Sequence, residues 1–430
     1  MTLEKPKLAV IGGGIAGMSM AWLAREAFDV TLYEAEPRLG GHADTQLVTL
    51  DGAEVAVDTG FIVLNDRNYP NLEGFFRELG VATHDTDMTF GVSVGGGALE
   101  YGGSNLGQLF AQKSNLLRPR FWRMIQDILR FNREAPALLD GTSPETLGDY
   151  LDRNHYGPGF TEDHILPMGA AIWSASVEGM RAFPARHFVR FFHNHGLLTI
   201  NDRPQWRTVT GGSRMYVARV RAALEGHIRT GEPVRRIARH EGSASVTTDS
   251  DTQHYDQIVL ACHADQSLAM IESPTDAERT LLGAVGFQDN RAVLHTDPAL
   301  MPRRRSVWSA WNYLSRGAAD HDQAISVTYW MNALQGLKTA RPLLVSLNPL
   351  VEPDPASILL TRHYTHPRFD TAAMDAQERL PAIQGTDRLW FAGAWTGWGF
   401  HEDGIASAVR IATALGLAIP WQAVPHRRAA

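Results

Sequence analysis

The hydrophobic pattern opens with an apolar run, KLAVI, at residues 7–11, which leads through glycines into a helical pattern, MSMAWLAREA. A second apolar run, VTLYEA, follows that helix. Short buried strands that alternate with a helix predict a βαβ unit and a parallel sheet. Two later runs, DQIVLACHA and LWFAGA, have the same buried-strand character. We therefore expect all four runs to be strands.

Two long inserts with different patterns separate these segments. Residues 91–205 have mainly helical periodicity after glycine-rich turns at their start. Residues 271–385 are rich in runs typical of a sheet, namely RAVLHTD, SVWSAWNY, AISVTYWMN and RPLLVSLN. The sequence therefore predicts two interleaved units. One is formed by residues 1–90, 206–270 and 386–420, and the other by the two inserts.

Composition narrows the class of protein. Of the 430 residues, 44% are hydrophobic and 20% are charged, which is typical of a globular chain, and the net charge of −7 does not favour nucleic acid as a partner. Cys262 is the only cysteine, so an internal disulfide is ruled out and a reducing compartment is favoured. The N-terminus has no signal-peptide pattern, and no apolar run reaches the roughly 18 residues of a membrane span. We expect a cytoplasmic protein, either soluble or bound peripherally to the inner membrane.

A glycine motif directly follows the first strand. Residues 12–17, Gly-Gly-Gly-Ile-Ala-Gly, read as G-x-G-x-x-G between a strand and a helix. The glycines allow a tight turn and let a pyrophosphate approach the helix N-terminus. The second strand ends at Glu34, whose carboxylate is placed to accept hydrogen bonds from a ribose diol. The sequence therefore predicts a dinucleotide site that includes Gly12, Gly14, Ile15, Ala16, Gly17 and Glu34.

The residues after Glu34 resemble the flavin-containing amine oxidase superfamily, which includes amine oxidases, carotenoid desaturases and protoporphyrinogen oxidases. Its members carry R-x-G-G-R, and this chain has R-x-G-G-H at residues 38–42. It also has a D-x-G segment at residues 58–60 and a valine after Gly-Glu-Pro at residues 231–233. The resemblance implies FAD as the cofactor. It further implies FAD contacts from Arg38, Gly40, Gly41, His42, Thr59, Gly60, Phe61 and Val234.

The stretch FAGAWTGWGFHEDG, residues 391–404, is similar to the last motif of that family, a strand, F-A-G-(E/D), a loop and a helix whose N-terminus meets the flavin. Ala394 replaces the acidic residue of the motif, so the resemblance implies that Glu402 or Asp403 compensates for a lost ribityl contact. The FAD-binding residues implied here are Gly393, Ala394, Glu402, Asp403, Gly404 and Ile405. The implied fold class is α/β, a discontinuous Rossmann-like FAD-binding domain with an interleaved α+β substrate domain, as in amine oxidases.

A basic amphipathic helix is predicted after Pro119. Apolar residues recur at helical spacing from Phe121 to Leu129, and arginines at 120, 123, 130 and 133 interleave with them. Such a pattern suits an anionic membrane surface, and it equally suits a helix that packs into the core with a solvated arginine face. In the superfamily, members with lipophilic substrates often dock on membranes through this insert. That resemblance favours the membrane.

Several features of amine oxidation are absent from the sequence. Amine oxidases of the superfamily commonly have a lysine near the flavin, at a strand of the second insert where this chain offers Asn290 or Arg291. The four lysines, at positions 5, 7, 113 and 338, lie elsewhere in the sequence. Phe400 matches one wall of the aromatic pair that holds an amine, without an identifiable partner. The departures count against an amine substrate and leave FAD unaffected.

Within the superfamily the chain is most similar to a bacterial group of NAD/FAD-binding proteins, through segments such as DTGFIVLNDRNYPN (58–71) and HYTHPRFD (363–370). Members occur beside methyltransferases, and some desaturate methyl-branched acyl chains on the route to furan fatty acids. The resemblance implies that a methyl-branched unsaturated acyl chain of a phospholipid is desaturated by hydride transfer to flavin N5. A lipid methyltransferase is an implied partner, and the acceptor that reoxidises the flavin stays open among oxygen, a quinone and a carrier protein.

The chemistry of an alkyl substrate limits what the protein must supply. An alkyl C–H is too weak an acid for a side-chain base, whereas hydride loss from an allylic, methyl-bearing carbon leaves a tertiary allylic cation. That cation loses a neighbouring proton to a weak base, a histidine or water. His363 is the first choice as base and Phe400 as a cation-stabilising aromatic. The pair His193 and His195 would share a face if extended, yet no cysteine–histidine cluster at metal spacing accompanies it, and we expect no metal.

Three other functions stay open at this point. A soluble amine or amino-acid oxidase and a carotenoid or porphyrin dehydrogenase belong to the same superfamily. A non-catalytic flavoprotein that acts as the partner of a lipid methyltransferase belongs to a different class. The three differ in which compound, if any, reduces the bound flavin.

Overall fold

The computed structural model describes residues 4–141, 143–199, 203–317 and 325–422. Its strands in chain order are β1 Lys7–Ile11, β2 Asp29–Glu34, β3 Thr45–Leu50, β4 Ala53–Asp58, β5 Val63–Asn65, β6 Thr83–Thr86, β7 Phe90–Val94, β8 Leu99–Gly102, β9 Trp206–Val209, β10 Ile228–Thr230, β11 Arg236–His240, β12 Ser243–Thr247, β13 Thr252–Tyr255, β14 Gln257–Leu260, β15 Phe287–His295, β16 Trp311–Ser315, β17 Ser326–Trp330, β18 Leu344–Leu347, β19 Ile358–Pro367 and β20 Leu389–Phe391.

The α-helices in chain order are α1 Ile15–Ala24, α2 Pro70–Glu78, α3 Leu106–Leu109, α4 Pro119–Glu134, α5 Leu147–Arg153, α6 Pro158–Phe160, α7 Leu166–Trp173, α8 Val177–Arg181, α9 Ala185–Asn194, α10 Arg214–Ala223, α11 Ala264–Met270, α12 Asp276–Gly283, α13 Met331–Leu334, α14 Thr371–Arg379 and α15 His401–Ala414. Within the described ranges, none of these helices combines the length and apolar character that crossing a membrane requires.

A five-stranded parallel sheet in the order β10-β2-β1-β14-β20 forms the first layer. Its strands come from all three stretches that the hydrophobic pattern grouped together, and the four predicted apolar runs are all present in it. Helix α1 is buried along its whole length, because it is covered by the sheet on one side and by α15 on another. The mixed α/β architecture confirms the predicted fold class, while the exact division into two units stays a prediction.

A second, seven-stranded sheet has the order β19-β15-β18-β17-β16-β7-β8. All of its neighbours are antiparallel except β16 and β7, which pair in parallel. The four sheet-like runs of residues 271–385 each contribute a strand, and β7 and β8 add two from the beginning of the first insert. A small antiparallel meander, β11-β12-β13, follows β10.

The first insert forms a helical layer on the seven-stranded sheet. Aromatic and aliphatic side chains of α4, α7 and α9 share one buried cluster with Val92 and Tyr313 of the sheet. The FHNHG segment lies at the end of α9 and in the turn after it, so His193 and His195 are not on an extended strand. Helical structure is favoured there because the apolar residues of α9, such as Phe188 and Phe192, recur at a spacing of four.

Candidate functional site

A cavity of about 730 Å³ lies at the carboxyl edge of the parallel sheet. The loops after β1, β14 and β20 open into it, as ligand sites do in open α/β sheets. The facing wall is formed by strands of the seven-stranded sheet and by the end of α7. The cavity therefore lies between the dinucleotide motif and the strands of the second insert.

The glycine loop has the shape that an anion-binding turn requires. Gly12 has a φ of +111°, and its N–H donates to the carbonyl of Tyr33 at 2.8 Å. A Cβ on Gly17 would lie 1.8 Å from the carbonyl oxygen of Gly12, whereas a Cβ on Gly14 would meet nothing within 4 Å. The first-turn N–H groups of α1, at Ile15 and after it, lack intrahelical acceptors and suit a phosphate.

Glu34 occupies the predicted position at the end of β2 and lines the cavity. Its carboxylate accepts hydrogen bonds from the backbone N–H of Gly13 at 2.6 Å and from that of Glu36 at 2.8 Å. These two contacts hold the acid beside the glycine loop. Val234 lines the same part of the cavity. The arrangement fits a ribose next to a pyrophosphate.

Arg38 and Gly40 shape the loop that follows without lining the cavity. Gly40, with a φ of +123°, donates its N–H to the carbonyl of Gly13 at 2.8 Å. The Arg38 guanidinium donates to the Gly41 carbonyl at 3.0 Å and lies 3.3 Å from the buried carboxylate of Asp44. Of the predicted loop residues, Gly41 and His42 reach the cavity wall. The charge of Arg38 is thus paired with the carboxylate of Asp44.

His42 is a neutral group in the cavity wall. Burial is the main cause that holds the pKa of His42 well below its usual range, followed by the electrostatic effect of His366. Its ring lies 5.3 Å from that of Tyr364 and 5.2 Å from that of His366. Nε2 of His42 is buried with no hydrogen-bond partner among the described residues. A buried polar atom without a partner fits a position that a cofactor completes.

The segment from Thr59 to Phe61 lines the cavity as the resemblance implies. The Thr59 hydroxyl lies 2.6 Å from the Tyr364 hydroxyl and donates to the Asp44 carbonyl at 3.1 Å. A Cβ on Gly60 would lie 2.2 Å from the carbonyl oxygen of His42, so the backbone segments touch. The Phe61 ring stacks on the His401 imidazole at 3.7 Å, which fixes the start of α15 beside the cavity.

The glycine-rich loop before α15 contributes Gly393, Ala394 and Phe400 to the cavity wall. Gly404 and Ile405 lie behind that wall. A Cβ on Gly404 would come within 2.7 Å of Ile15 Cγ2, and Ile405 is completely buried in the cluster that includes α1. These two residues therefore set the distance between the N-terminal ends of α1 and α15.

Glu402 and Asp403 do not compensate for Ala394, because both carboxylates cap helices. Glu402 accepts from the N–H of Leu72 at 2.9 Å and from the side-chain amide of Asn71 at 2.7 Å, at the start of α2. Asp403 accepts from the N–H of Phe400 at 2.9 Å, at the start of α15. Neither residue lines the cavity. First-turn acids satisfy N–H groups that have no intrahelical acceptor, and that role accounts for both.

His363 is exposed and does not line the cavity, so the structure gives it no part in the site. It lies opposite Arg291 on the outer side of β19. The side chains of Tyr364 and His366, which alternate with it along the strand, line the cavity instead. At the position of the missing lysine, Asn290 is buried and lies 2.9 Å from His366, while Arg291 pairs with Glu352.

The wall opposite the dinucleotide loops is aromatic and aliphatic. Phe400 stacks on Phe191 of α9 at 5.2 Å, and Trp398 accepts a hydrogen bond from the Trp173 indole at its carbonyl. The lining residues of this wall include Met88, Ile172, Trp173, Trp311, Tyr329, Val345, Leu347 and Phe369. Sequence reasoning did not identify Ile172 and Trp173, because the apolar pattern of α7 carries no motif.

The imidazoles around the cavity are uncharged. Burial lowers the pKa of His366 to about 4 and that of His401 to about 3, and it also lowers the pKa of His263. Within the described ranges, no lysine, arginine or aspartate side chain lines the cavity. Its acidic residues, Glu34, Glu36 and Glu232, cluster at the nucleotide end, where backbone N–H groups of residues 231 and 232 bond to the carbonyls of Glu36 and Glu34.

Comparison with known proteins agrees with this geometry. Residues 15–289 match the family model described as flavin-containing amine oxidoreductase. A carotenoid phi-ring synthase of Streptomyces griseus is 29% identical over 342 residues, which cover 70% of this chain and 60% of that relative's length. Cyclohexylamine oxidase from Brevibacterium oxydans has a TM-score of 0.69 at 15% identity, over 96% of this chain and all of that one. A CLA-producing fatty acid isomerase from P. acnes has a TM-score of 0.65 at 14% identity, over 95% and 98% of the two chains.

The chain belongs to the flavin-containing amine oxidoreductase family. This membership confirms the predicted cofactor, FAD, and the predicted class, FAD-dependent oxidoreductases. The glycine loop, Glu34, the open space at Gly14 and the unpartnered Nε2 of His42 are the local features that suit FAD. The solved structures lie below 25% identity, so they establish the fold and leave the substrate to be argued from the cavity.

Proposed function

We propose that the protein desaturates a methyl-branched, unsaturated acyl chain of a membrane phospholipid, as in the route to furan fatty acids, with FAD as the oxidant. The observation that carries the proposal is the wall of the cavity opposite the dinucleotide loops. It is lined by side chains such as Ile172, Val345 and Leu347 together with indoles and phenyl rings. Such a wall suits a hydrocarbon, because burying apolar surface on both partners is favourable.

A cationic amine would find no carboxylate partner at that wall. The carboxylates of the cavity belong to the nucleotide end, and Glu402 and Asp403 bond to backbone N–H groups outside the cavity. Burying an ammonium group without a compensating charge carries a large cost in free energy. The composition of the cavity therefore argues against an amine and for an uncharged chain.

FAD held at the glycine loop and Glu34 would supply the oxidant for the hydride that leaves the allylic, methyl-bearing carbon. The aromatic rings of Trp398 and Phe400 face the cavity and can stabilise the cation that develops in the substrate. A proton then leaves the neighbouring carbon for a weak base such as water, which leaves a conjugated, methylated diene.

The route to the membrane that we propose starts from five exposed apolar side chains between residues 106 and 129, which we call the apolar patch: Leu106, Leu116, Leu117, Trp122 and Leu129. These are five of the eight large hydrophobic side chains found exposed in the described ranges, and Leu117 is 87% exposed. Exposed Lys113 lies in the same segment. Apolar side chains beside a cation suit an anionic phospholipid surface.

The patch differs from the helical stripe that the sequence suggested. The inner side of α4, with Phe121, Met124 and Phe131, is buried in the core. Its arginines are paired, since Arg120 contacts Asp163 at 2.8 Å and Arg123 contacts Asp127 at 3.1 Å. The loop before the helix and the outer positions of α4 are therefore the parts that we assign to lipid contact.

Lipid profiling of cells with and without the gene tests the proposal. We expect the deletion strain to lose a methylated diene or furan lipid and to accumulate the methylated mono-unsaturated precursor. Complementation with a chain that folds and cannot bind FAD separates catalysis from a structural role as partner of a lipid methyltransferase. Restoration of the lipid by such a chain would support the non-catalytic role and overturn desaturation.

A further inference from the structure

Two asparagine side chains connect a backbone N–H group to the imidazole of His366. The N–H of Arg291 lies 3.0 Å from Asn348 Oδ1, Asn348 Nδ2 lies 2.7 Å from Asn290 Oδ1, and Asn290 Nδ2 lies 2.9 Å from His366 Nδ1. Asn290 is 1% exposed. Asn348 has a φ of +47°, a conformation that asparagine adopts more readily than most residues. The chain of hydrogen bonds connects three elements: strand β15, strand β19 and the turn that follows β18.

The direction of these hydrogen bonds is fixed at the first link, because a backbone N–H can only donate. Asn348 therefore offers its oxygen to Arg291 and its amide N–H to Asn290. Asn290 accepts through Oδ1 and turns its NH₂ group toward His366. The same orientation lets Asn290 Nδ2 approach the Gln288 carbonyl, at 3.3 Å, which can only accept. Nδ1 of His366 is thus an acceptor, and the proton of the neutral ring lies on Nε2.

The surroundings keep His366 neutral. Burial is the main cause that lowers the pKa of His366 to about 4, and His263 lowers it further. The titratable groups that face its ring are His42, at 5.2 Å, and His263, and the pKa of each is lowered as well. If Nδ1 of His366 carried a proton, its N–H would point at the NH₂ group of Asn290, and neither donor would have an acceptor in the other. The ring therefore presents one N–H group, from Nε2, and has no free basic nitrogen.

Nε2 of His366 is the ring nitrogen left for a ligand. His366 lines the cavity, and no residue of the described ranges accepts a hydrogen bond from that nitrogen. Its neighbour His42 belongs to the same loop as Gly41, where a Cβ would lie 3.1 Å from the Cα of Gly14. His366 therefore faces the part of the cavity that the dinucleotide loops form.

We propose that His366 is a positioning residue for the cofactor. Its Nε2–H group donates a hydrogen bond to an acceptor atom of bound FAD, and Asn348 and Asn290 fix the tautomer of the imidazole. The hydrocarbon part of the proposed substrate offers no acceptor atom, so the cofactor is the ligand that suits this donor. This choice of ligand rests on the proposed acyl substrate. The proposal also removes His366 from the set of proton acceptors.

The substitution Asn348→Asp tests the relay without changing His366. A carboxylate accepts from both Arg291 N–H and Asn290 NH₂, so Asn290 must turn its oxygen toward His366, and the ring proton moves to Nδ1. We expect ¹H–¹⁵N NMR of the FAD-loaded protein to report an Nε2–H tautomer in the wild type and an Nδ1–H tautomer in the variant. The dissociation constant of FAD should rise about tenfold, the effect of one lost hydrogen bond.

A matched pair of variants on β19 provides the control. His366→Leu should weaken FAD binding about tenfold and shift the flavin absorbance maximum, whereas His366→Gln keeps a donor and should stay near the wild-type affinity. His363→Leu, on the exposed side of the same strand, should change neither property. Equal FAD affinities for His366→Leu and His363→Leu would overturn the proposal. So would an Nδ1–H tautomer in the wild type, or a changed tautomer in Asn348→Asp with unchanged FAD affinity.

Discussion

Gly17 packs directly against Gly12, so closely that a Cβ on Gly17 would lie 1.8 Å from the Gly12 carbonyl oxygen. The contact draws α1 onto the glycine loop and brings the first turn of the helix to the edge of the cavity. Ile15 of the same turn meets Gly404, where a Cβ would lie 2.7 Å from Ile15 Cγ2. Close backbone approach at two glycines thus sets the geometry of the dinucleotide site.

We expect Gly17→Ala to destabilise the FAD-loaded protein by about 1–3 kcal/mol, because the new methyl group forces α1 away from the loop. FAD should be lost more readily for the same reason. Urea unfolding and the flavin-to-protein absorbance ratio measure the two effects. Gly283→Ala is the control, since its Cβ would meet only Leu268 Cδ2 at 3.8 Å within a helix, and it should be neutral or stabilising by up to about 1 kcal/mol. Equal behaviour of the two variants would contradict the packing argument.

Glu402 should make the protein less stable as the pH rises. Burial raises the pKa of Glu402 from 4.5 to about 7, against the lowering effect of its hydrogen bonds to Leu72 and Asn71. The folded protein therefore holds this proton more tightly than the unfolded chain, so the contribution to stability is full below about pH 4.5 and is lost as the pH rises through about 7. The slope from one such group is at most about 1.4 kcal/mol per pH unit.

The variant Glu402→Gln isolates that contribution. From pH 4.5 to 7.5 the unfolding free energy of the wild type should fall, whereas that of Glu402→Gln should fall less because the amide does not titrate. The values for the variant should therefore approach or exceed those of the wild type as the pH rises. The exposed residue Glu54 offers the matched control, and Glu54→Gln should follow the wild-type profile at every pH. A difference between wild type and Glu402→Gln that is constant with pH would contradict the role given to the carboxyl group.

Membrane binding should depend on the apolar patch and not on the arginines of α4. Leu117→Glu introduces a charge at an 87% exposed side chain, so we expect flotation with vesicles that contain an anionic phospholipid to fall several-fold. Val351→Glu, at a 66% exposed side chain outside the patch, should float like the wild type. If Leu117→Glu and Val351→Glu float equally well, the patch is not the lipid contact.

Phe400 should affect the chemical step more than FAD binding. We expect Phe400→Leu to slow single-turnover flavin reduction by about tenfold, because an aliphatic side chain cannot stabilise a developing cation, while Phe400→Tyr stays close to wild type. Deuterium on the allylic, hydride-donating carbon should slow the same step in the wild type. A rate that does not change with deuterium at that carbon would rule out hydride transfer as the slow step. Equal rates for Phe400→Leu and Phe400→Tyr would rule out stabilisation of the cation by the Phe400 ring.

Motifs with fixed backbone geometry could be predicted from the sequence. The glycine loop, Glu34 and the loop before α15 lie at one cavity because each depends on turns that few residues allow. His363 was the first choice as base, and it lies on the exposed side of β19. A strand alternates its sides, and no local pattern tells which side faces inward. Glu402 and Asp403 could not be assigned because an acid in a first helical turn can cap a helix or meet a ligand.

The apolar wall of the cavity could not be predicted from the sequence, for a different reason. Ile172, Trp173 and the side chains of β16, β17 and β18 meet only through tertiary packing, between segments far apart in the chain. Arg120 of α4 is a related case, because its partners Asp163 and Glu162 lie 43 and 42 residues away in the chain. Burial and ion pairing of this kind depend on the fold and leave no periodic signal.

Anaerobic titration of the FAD-loaded protein tests the central claim most directly. The measurement is bleaching of the visible absorbance of oxidised flavin on addition of one compound at a time. We predict bleaching by a phospholipid with a methyl-branched, mono-unsaturated acyl chain and none by its unbranched saturated counterpart or by primary amines. Bleaching by amines or by a carotenoid, with no response to the branched phospholipid, would contradict the proposed function.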